Sequence, residues 1–97
     1  MRFLQLSDFA GRIGDAFSVD VEGQAASFTL VEAVRLPGRP VPGMVREPFS
    51  LVFRHEAAVV FPQRIYAMNG STLGDFGIFL VPVARDRDGF LYQAVFN

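Results

Sequence analysis

The sequence contains no cysteine, no lysine and no tryptophan. Without cysteine the chain can form no disulfide framework, no thiolate nucleophile and no cysteine-based metal site, and it suits a reducing compartment. All nine basic residues are arginine. Two alternative explanations account for arginine in place of lysine: recognition of a partner through arginine side chains, or the codon bias of a GC-rich genome.

Long apolar runs and excess charge are also missing. No run reaches the roughly 18 apolar residues that a membrane-spanning helix needs. Ser7, Asp8 and Gly11 interrupt the start of the chain too early for a secretory signal. The net charge of −1 provides no field that attracts nucleic acid or an anionic membrane. We therefore predict a cytoplasmic protein that binds neither.

Apolar residues, and phenylalanine above all, are what the chain has in quantity. Its 97 residues are 51% hydrophobic and include eleven phenylalanines. A chain of this length forms one domain and buries roughly 60–70% of its unfolded surface. We predict a single domain over residues 1–97 with one aromatic-rich core.

The stretch Asp75–Asn97 has a clear period-two pattern of two strands joined by a polar turn. One face would carry Phe76, Ile78, Leu80 and Pro82 before the turn, and Phe90, Tyr92, Ala94 and Phe96 after it. Pairing Ala84 with Phe90 brings both sets to the same face, with the turn at Arg85–Gly89 and Phe96 buried against Ile78. Pro82 lacks a backbone donor and indicates a bulge or an edge.

Two further local elements are predicted near the N-terminus. Ser7 is a candidate N-cap for a short helix or a single turn over Asp8–Ile13 that ends at Gly14, with Phe9 and Ile13 on one face.

A first hairpin follows, with Gly23-Gln24 as a type II′ turn and Val21 opposite Ala26. Continued along the second strand, this register places Glu32 on the inner face with Leu30, where a carboxylate would need an arginine partner. A bulge that turns Glu32 outward is the alternative.

The middle of the chain is a loop flanked by strands. Pro37–Pro48 contains four of the six prolines and cannot form a regular ladder. It is either a binding loop or a cover for a barrel mouth through Val41, Met44 and Val45. Strands are predicted at Phe49–Phe53 and Ile65–Met68. Ala57–Phe61 is either a short edge strand or a loop that folds back.

About six strands, one short helix and no crossover helix predict an all-β fold. The sheet is antiparallel and mostly a meander, closed as a small barrel or packed as a sandwich.

Several segments together resemble a family of bacterial proteins about one hundred residues long. They are Leu6-x-x-Phe9, Gly14-x-x-Phe17, Thr29–Glu32, Glu47–Arg54, Leu73-Gly74, Phe79–Pro82 and the ending Y-x-A-V-F-N at Tyr92–Asn97. That family carries no assigned function, so the resemblance implies no catalytic residues. It does imply an association with phage-derived, tail-like structural proteins.

Candidate site residues are few. His55 is the single histidine; a general base would need a nucleophile and an orienting group beside it, and zinc would need further nitrogen or sulfur ligands. The binding candidates are Glu32, Arg39, Arg46, Arg54 and His55. We predict no catalytic residue, no metal site and no cofactor.

The strand Phe76–Val83 is apolar on both faces, whereas an exposed antiparallel layer normally has one polar face. Phe79, Val81 and Val83 form its outer set, which Leu91 and Val95 extend. A symmetric homodimer would hide this surface; the competing account is that the His55–Phe61 segment folds over it.

We therefore expect a non-enzymatic structural or protein-interaction module, a homodimer with a protein partner and an accessory of a phage-tail-like assembly. The alternative is a small-ligand binder or enzyme that uses the barrel mouth near Glu32 and the Pro37–Pro48 loop.

Overall fold

The computed structural model describes residues 4–37, 42, 47–57 and 59–97. These residues form one α-helical turn, six strands and one 3₁₀ turn. In chain order they are α1 (Ser7–Ala10), β1 (Ala16–Val21), β2 (Gln24–Arg35), β3 (Phe49–His55), β4 (Arg64–Asn69), the 3₁₀ turn (Ser71–Leu73), β5 (Asp75–Asp86) and β6 (Gly89–Phe96). The predicted all-β class with one short helix is confirmed.

The six strands close into an antiparallel barrel in the order β1-β2-β3-β6-β5-β4. Two three-stranded meanders, β1-β2-β3 and β4-β5-β6, are joined by pairing of β3 with β6 and of β1 with β4. The β1–β4 seam is short, with the two pairs Ser18–Asn69 and Val19–Met68. Closure removes the edges that an open sheet of this size would expose, and it decides between the predicted barrel and sandwich.

The barrel interior is filled by the inward set of each strand. Fourteen hydrophobic residues are at most 3% exposed, and aromatic rings dominate them. They are Phe9, Phe17, Val19, Phe28, Leu30, Phe49, Leu51, Phe53, Tyr66, Met68, Ile78, Leu80, Tyr92 and Ala94. The alternation seen in the sequence therefore reports the inner face correctly.

The N-terminal helix is shorter than predicted, and its capping was wrong. Leu6 is the N-cap and Ser7 is the first helical residue, with no side-chain cap hydrogen bond. The helix ends at Ala10, so Ile13 leaves the face of Phe9: Phe9 is fully buried and Ile13 is 51% exposed. Phe9 closes one end of the barrel, where its ring lies about 6 Å from four other phenylalanine rings.

The first hairpin forms, but its predicted turn lay one residue too late in the sequence and its predicted strand register was wrong by two residues. Val21 pairs with Gln24 across Glu22-Gly23, and both turn residues have positive φ, 53° and 87°. Positive φ at both positions is the type I′ geometry that suits the right-handed twist of a hairpin. Because the shift is an even number, the inward faces of both strands are unchanged.

The last hairpin also forms, and a bulge resolves its register. Pro82 pairs with Tyr92 as the sequence predicted, but the ladder shifts at Val83 so that Ala84 lies opposite Leu91 and not opposite Phe90. The bulge predicted from Pro82 is therefore present. It shortens the turn to Arg87-Asp88.

Phe96 is only half-buried, contrary to expectation. It stacks on Phe49 at the Phe9 end of the barrel, with ring centroids 4.6 Å apart and planes at 5°.

Two segments between the strands were left open by the sequence, one before β3 and one between β3 and β4. Among described residues, 56–63 contain no strand, which favours the predicted loop that folds back. Most of Pro37–Pro48, including Val41, Met44 and Val45, lies outside the described residues.

No helix within the described ranges is long and apolar enough to cross a membrane.

Candidate functional site

The predicted site residues do not converge on one site. Arg39 and Arg46 lie outside the described residues. Glu32 is exposed on the outer surface, because the ladder between β2 and β3 shifts after Leu30 and sets Glu32 opposite Val52. The inward placement of Glu32 was wrong, and the alternative of an outward-turning bulge is confirmed. The carboxylate does not point into the barrel mouth.

Arg54 forms an ion pair on the outer surface. Its guanidinium donates to Asp86 Oδ2 at 2.7 Å, linking β3 to the end of β5. This hydrogen bond holds the pKa of the Asp86 carboxyl below its usual value. Asp86 also accepts from the backbone N–H of Asp88. The pair therefore fastens the tip of the last hairpin, and Arg54 has a structural partner.

His55 lies at the barrel mouth opposite the Phe9 end. Its Nδ1 is 2.9 Å from the carbonyl oxygen of Ser27, so Nδ1 carries the donated proton in that contact. The imidazole stacks on Phe28 with centroids 4.8 Å apart and lies 5.0 Å from the ring of Phe61. His55 is therefore part of the aromatic closure of the mouth.

Residues Phe61 and Pro62 are held across this mouth by two hydrogen bonds. The backbone N–H of Phe61 donates to the hydroxyl of buried Tyr92 at 2.9 Å. The hydroxyl of Tyr66 donates to the carbonyl of Pro62, and burial raises the pKa of Tyr66. A cleft of about 530 Å³ remains beside Phe61 and His55, rimmed by Val21, Glu22 and 24–27. Within the described part of the chain, no three metal-binding side chains cluster.

A different surface carries the largest exposed apolar side chains. We call it the apolar wall: ten outward positions of β4, β5 and β6, bordered by the polar outward pair Asn69 and Asp75, namely Ile65, Ala67, Gly77, Phe79, Val81, Val83, Ala84, Leu91, Gln93 and Val95. Ile65 is 72% exposed, and Phe79, Val83 and Val95 are each about half exposed. None of these ten positions is charged.

Among the described residues, the predicted cover, the His55–Phe61 segment, does not lie over this wall, because the ring of Phe61 packs at the mouth against His55. Sequence reasoning found the wall on β5 and β6 but missed Ile65 and Gly77. Alternation with buried Tyr66 and Met68 marks Ile65 as outward, and Gly77 interrupts a strand otherwise rich in bulky residues.

Comparison with known proteins identifies a family. No curated protein and no solved structure matches the chain. Residues 4–96 match the family described as a domain of unknown function, DUF6916, which confirms the predicted membership of an uncharacterised family of about this length. The chain belongs to this family of domains of unknown function.

Proposed function

We propose that the domain is a non-enzymatic protein-interaction module that docks another protein chain against the apolar wall. The observation that carries the proposal is the exposure of Ile65, Phe79, Val83 and Val95 on one continuous, uncharged surface. Isolated exposed hydrophobic residues are ordinary, whereas several on one face mark an interaction site. The strands that carry the wall pack on a core rich in aromatic side chains. This packing supports a scaffold role, because it holds the outward side chains of the wall in place.

Site-specific photo-crosslinking in native host cells tests this proposal. A photoreactive phenylalanine analogue placed at Phe79 should form an adduct with a protein chain. The same analogue at Ser18, an exposed strand position outside the wall, should form few adducts and serves as the control. Equal or absent adducts at the two positions would refute docking through the wall.

The resemblance to proteins associated with phage-derived structures supports a narrower proposal. The assembly that the module serves is phage-tail-like. Mass spectrometry of the proteins that co-purify with the tagged chain from native host cells checks this: a tail or baseplate type of protein is expected among them. Co-purification of unrelated enzymes alone would contradict it.

Small-ligand binding at the barrel mouth is the second candidate. The open cleft beside His55 and Phe61 favours it, because an aromatic surface there adjoins the polar groups of Glu22, Gln24 and Ser27. Arylalkylamines are suitable probes, since their rings can stack and their ammonium group, charged near neutral pH, suits Glu22. Saturation transfer to these probes, lost in Phe61→Ala and retained in Phe79→Ala, is the expected result; no transfer to the wild type would contradict the proposal.

A further inference from the structure

Gly77 is an unusual residue at the centre of the apolar wall. Glycine weakens a strand because it loses more backbone freedom on folding and packs no side chain. Gly77 is absent from the positive-φ residues, so its backbone does not require glycine. A Cβ added there would meet Ile65 Cγ2 at 3.4 Å and no closer atom. Neither the backbone conformation nor the packing within one chain requires a glycine at this position. The remaining explanation is that another molecule approaches the backbone closely at Gly77.

The outward side chains around Gly77 differ in size, so this part of the wall is uneven. Gly77 pairs with Ala67 across β4 and β5, and the next outward pair is Ile65 with Phe79. Two small residues thus form a hollow beside a ridge of two bulky ones. The two pairs are two residues apart, or about 7 Å along the strands.

We propose that a second copy of this chain occupies the wall. Ile65 and Phe79 of each copy then lie in the Ala67–Gly77 hollow of the other. The twofold axis of this contact lies in the plane between the two copies and runs perpendicular to the strands. It passes midway between the Ala67–Gly77 pair and the Ile65–Phe79 pair. The ridge of each copy therefore lies over the hollow of the other. Such a contact is isologous, the geometry of most homodimers. The inference rests on the proposed function and names its partner.

Charge favours a second copy as the occupant. In a twofold contact, residues near the axis face their own counterparts, so a charged residue there would meet a like charge. The ten wall positions carry no charge. The nearest ionic groups at one end, Arg54 and Asp86, are already paired, and Asp75 at the Gly77 end accepts a hydrogen bond from the Asn69 amide. The whole chain, with a net charge of −1, adds little long-range repulsion between copies.

The size of the wall sets the expected strength. From Gly77 to Val83 it extends about 20 Å along β5, and it spans three strands about 4.8 Å apart. The flat area of the wall is therefore on the order of 200–300 Å², well below the roughly 800 Å² per partner that a standard specific interface buries. We therefore expect a weak dimer that is populated only at high protein concentrations.

Sedimentation equilibrium of the purified full chain tests the proposal. The wild type should approach twice its chain mass of 10.7 kDa. Gly77→Thr fills the hollow with a residue that strands favour, so the fold should persist while dimer affinity falls about tenfold or more. Phe79→Arg should give monomers. Ala25→Thr, the matched change at an exposed β2 position outside the wall, should leave the mass unchanged.

Two results would overturn the inference. One is a monomeric wild type throughout the concentration range. The other is a dimer that Gly77→Thr and Phe79→Arg leave intact, since association would then use another surface. Circular dichroism confirms that each variant is folded, and Gly77→Thr keeps the test decisive if the arginine variant does not fold. A monomer that still cross-links from Phe79 to a different protein would refute the second copy while supporting the proposed function.

Discussion

Replacing Phe9 should be among the most damaging single changes in this domain. Its side chain is fully buried, and its ring lies 6.0–6.1 Å from the rings of Phe17, Phe49, Phe76 and Phe96. The four-residue helix that carries it is too short to persist without tertiary packing. Phe9→Ala therefore removes both the apolar plug and the anchor of the N-terminal segment.

The magnitude follows from the burial. A phenylalanine side chain buries roughly 150–200 Å², which at about 25 cal/mol/Å² corresponds to about 4–5 kcal/mol as an upper estimate. Core Phe→Ala changes cost roughly 3–5 kcal/mol, so we expect a loss of about 4 kcal/mol for Phe9→Ala. Phe9→Leu keeps much of the apolar volume and should cost roughly half as much.

Urea unfolding at one fixed protein concentration measures these losses, since association would add to the apparent stability. The matched control is Ile13→Ala, three residues beyond the helix and half exposed, which should change the free energy of unfolding by no more than about 0.5 kcal/mol. A Phe9→Ala loss within about 1 kcal/mol of that control would show that Phe9 does not close the barrel.

Three further predictions concern other positions. Asp86→Asn should destabilise the fold near neutral pH and converge with the wild type in acid: because Arg54 lowers the pKa of Asp86, that stabilisation is present above the unfolded-state pKa and lost as pH falls through the folded-state pKa. Urea midpoints from neutral to acid pH check this, and a constant difference would contradict it. Gly70→Ala should lower the melting temperature, since its Cβ would lie 2.8 Å from Phe17 Cε2 and overpacking costs about 1–3 kcal/mol; an unchanged melting temperature would show that the ring yields freely. Glu32→Gln should leave urea curves parallel to those of the wild type at every pH, because the side chain is exposed; diverging curves would mean that its charge contributes to folding.

The inner face of the barrel could be predicted from the sequence because strand alternation survives errors of register. The first hairpin illustrates this. The predicted turn at Gly23-Gln24 set Val21 opposite Ala26, whereas Val21 pairs with Gln24, a register error of two residues; Val19 and Phe28 nevertheless point inward as predicted. A one-residue error would have reversed the faces.

Bulges and chain ends were the parts that sequence patterns left open. The bulge after Leu30 turns Glu32 outward, and a period-two pattern has no signal for one extra residue. Ser7 satisfied the composition of an N-cap, but the helix begins at Ser7 itself, with Leu6 as the N-cap. The barrel closes where the edge strands β1 and β4 pair with each other. This pairing depends on contacts between residues far apart in the sequence, which local composition does not encode.

The candidate surface was partly visible in the sequence. The doubly apolar pattern of Phe76–Val83 indicated an outer patch on β5, and the structure exposes Phe79 and Val83 there. Ile65 joins the patch only through the pairing of β4 with β5. The sequence alone does not explain why position 77 is a glycine. Only the structure shows that neither the backbone conformation of Gly77 nor its packing within one chain requires a glycine.

An isotope-filtered nuclear Overhauser experiment on a mixture of labelled and unlabelled chains tests the central claim most directly. The filter removes contacts within one chain and retains those between copies. The twofold contact predicts cross-peaks between the Ile65 side chain of one copy and the Ala67 methyl group of the other, and between the Phe79 ring of one copy and the Gly77 Hα atoms of the other. A sample of dimeric mass that lacks these cross-peaks, or shows intermolecular contacts only from residues outside the apolar wall, would contradict it.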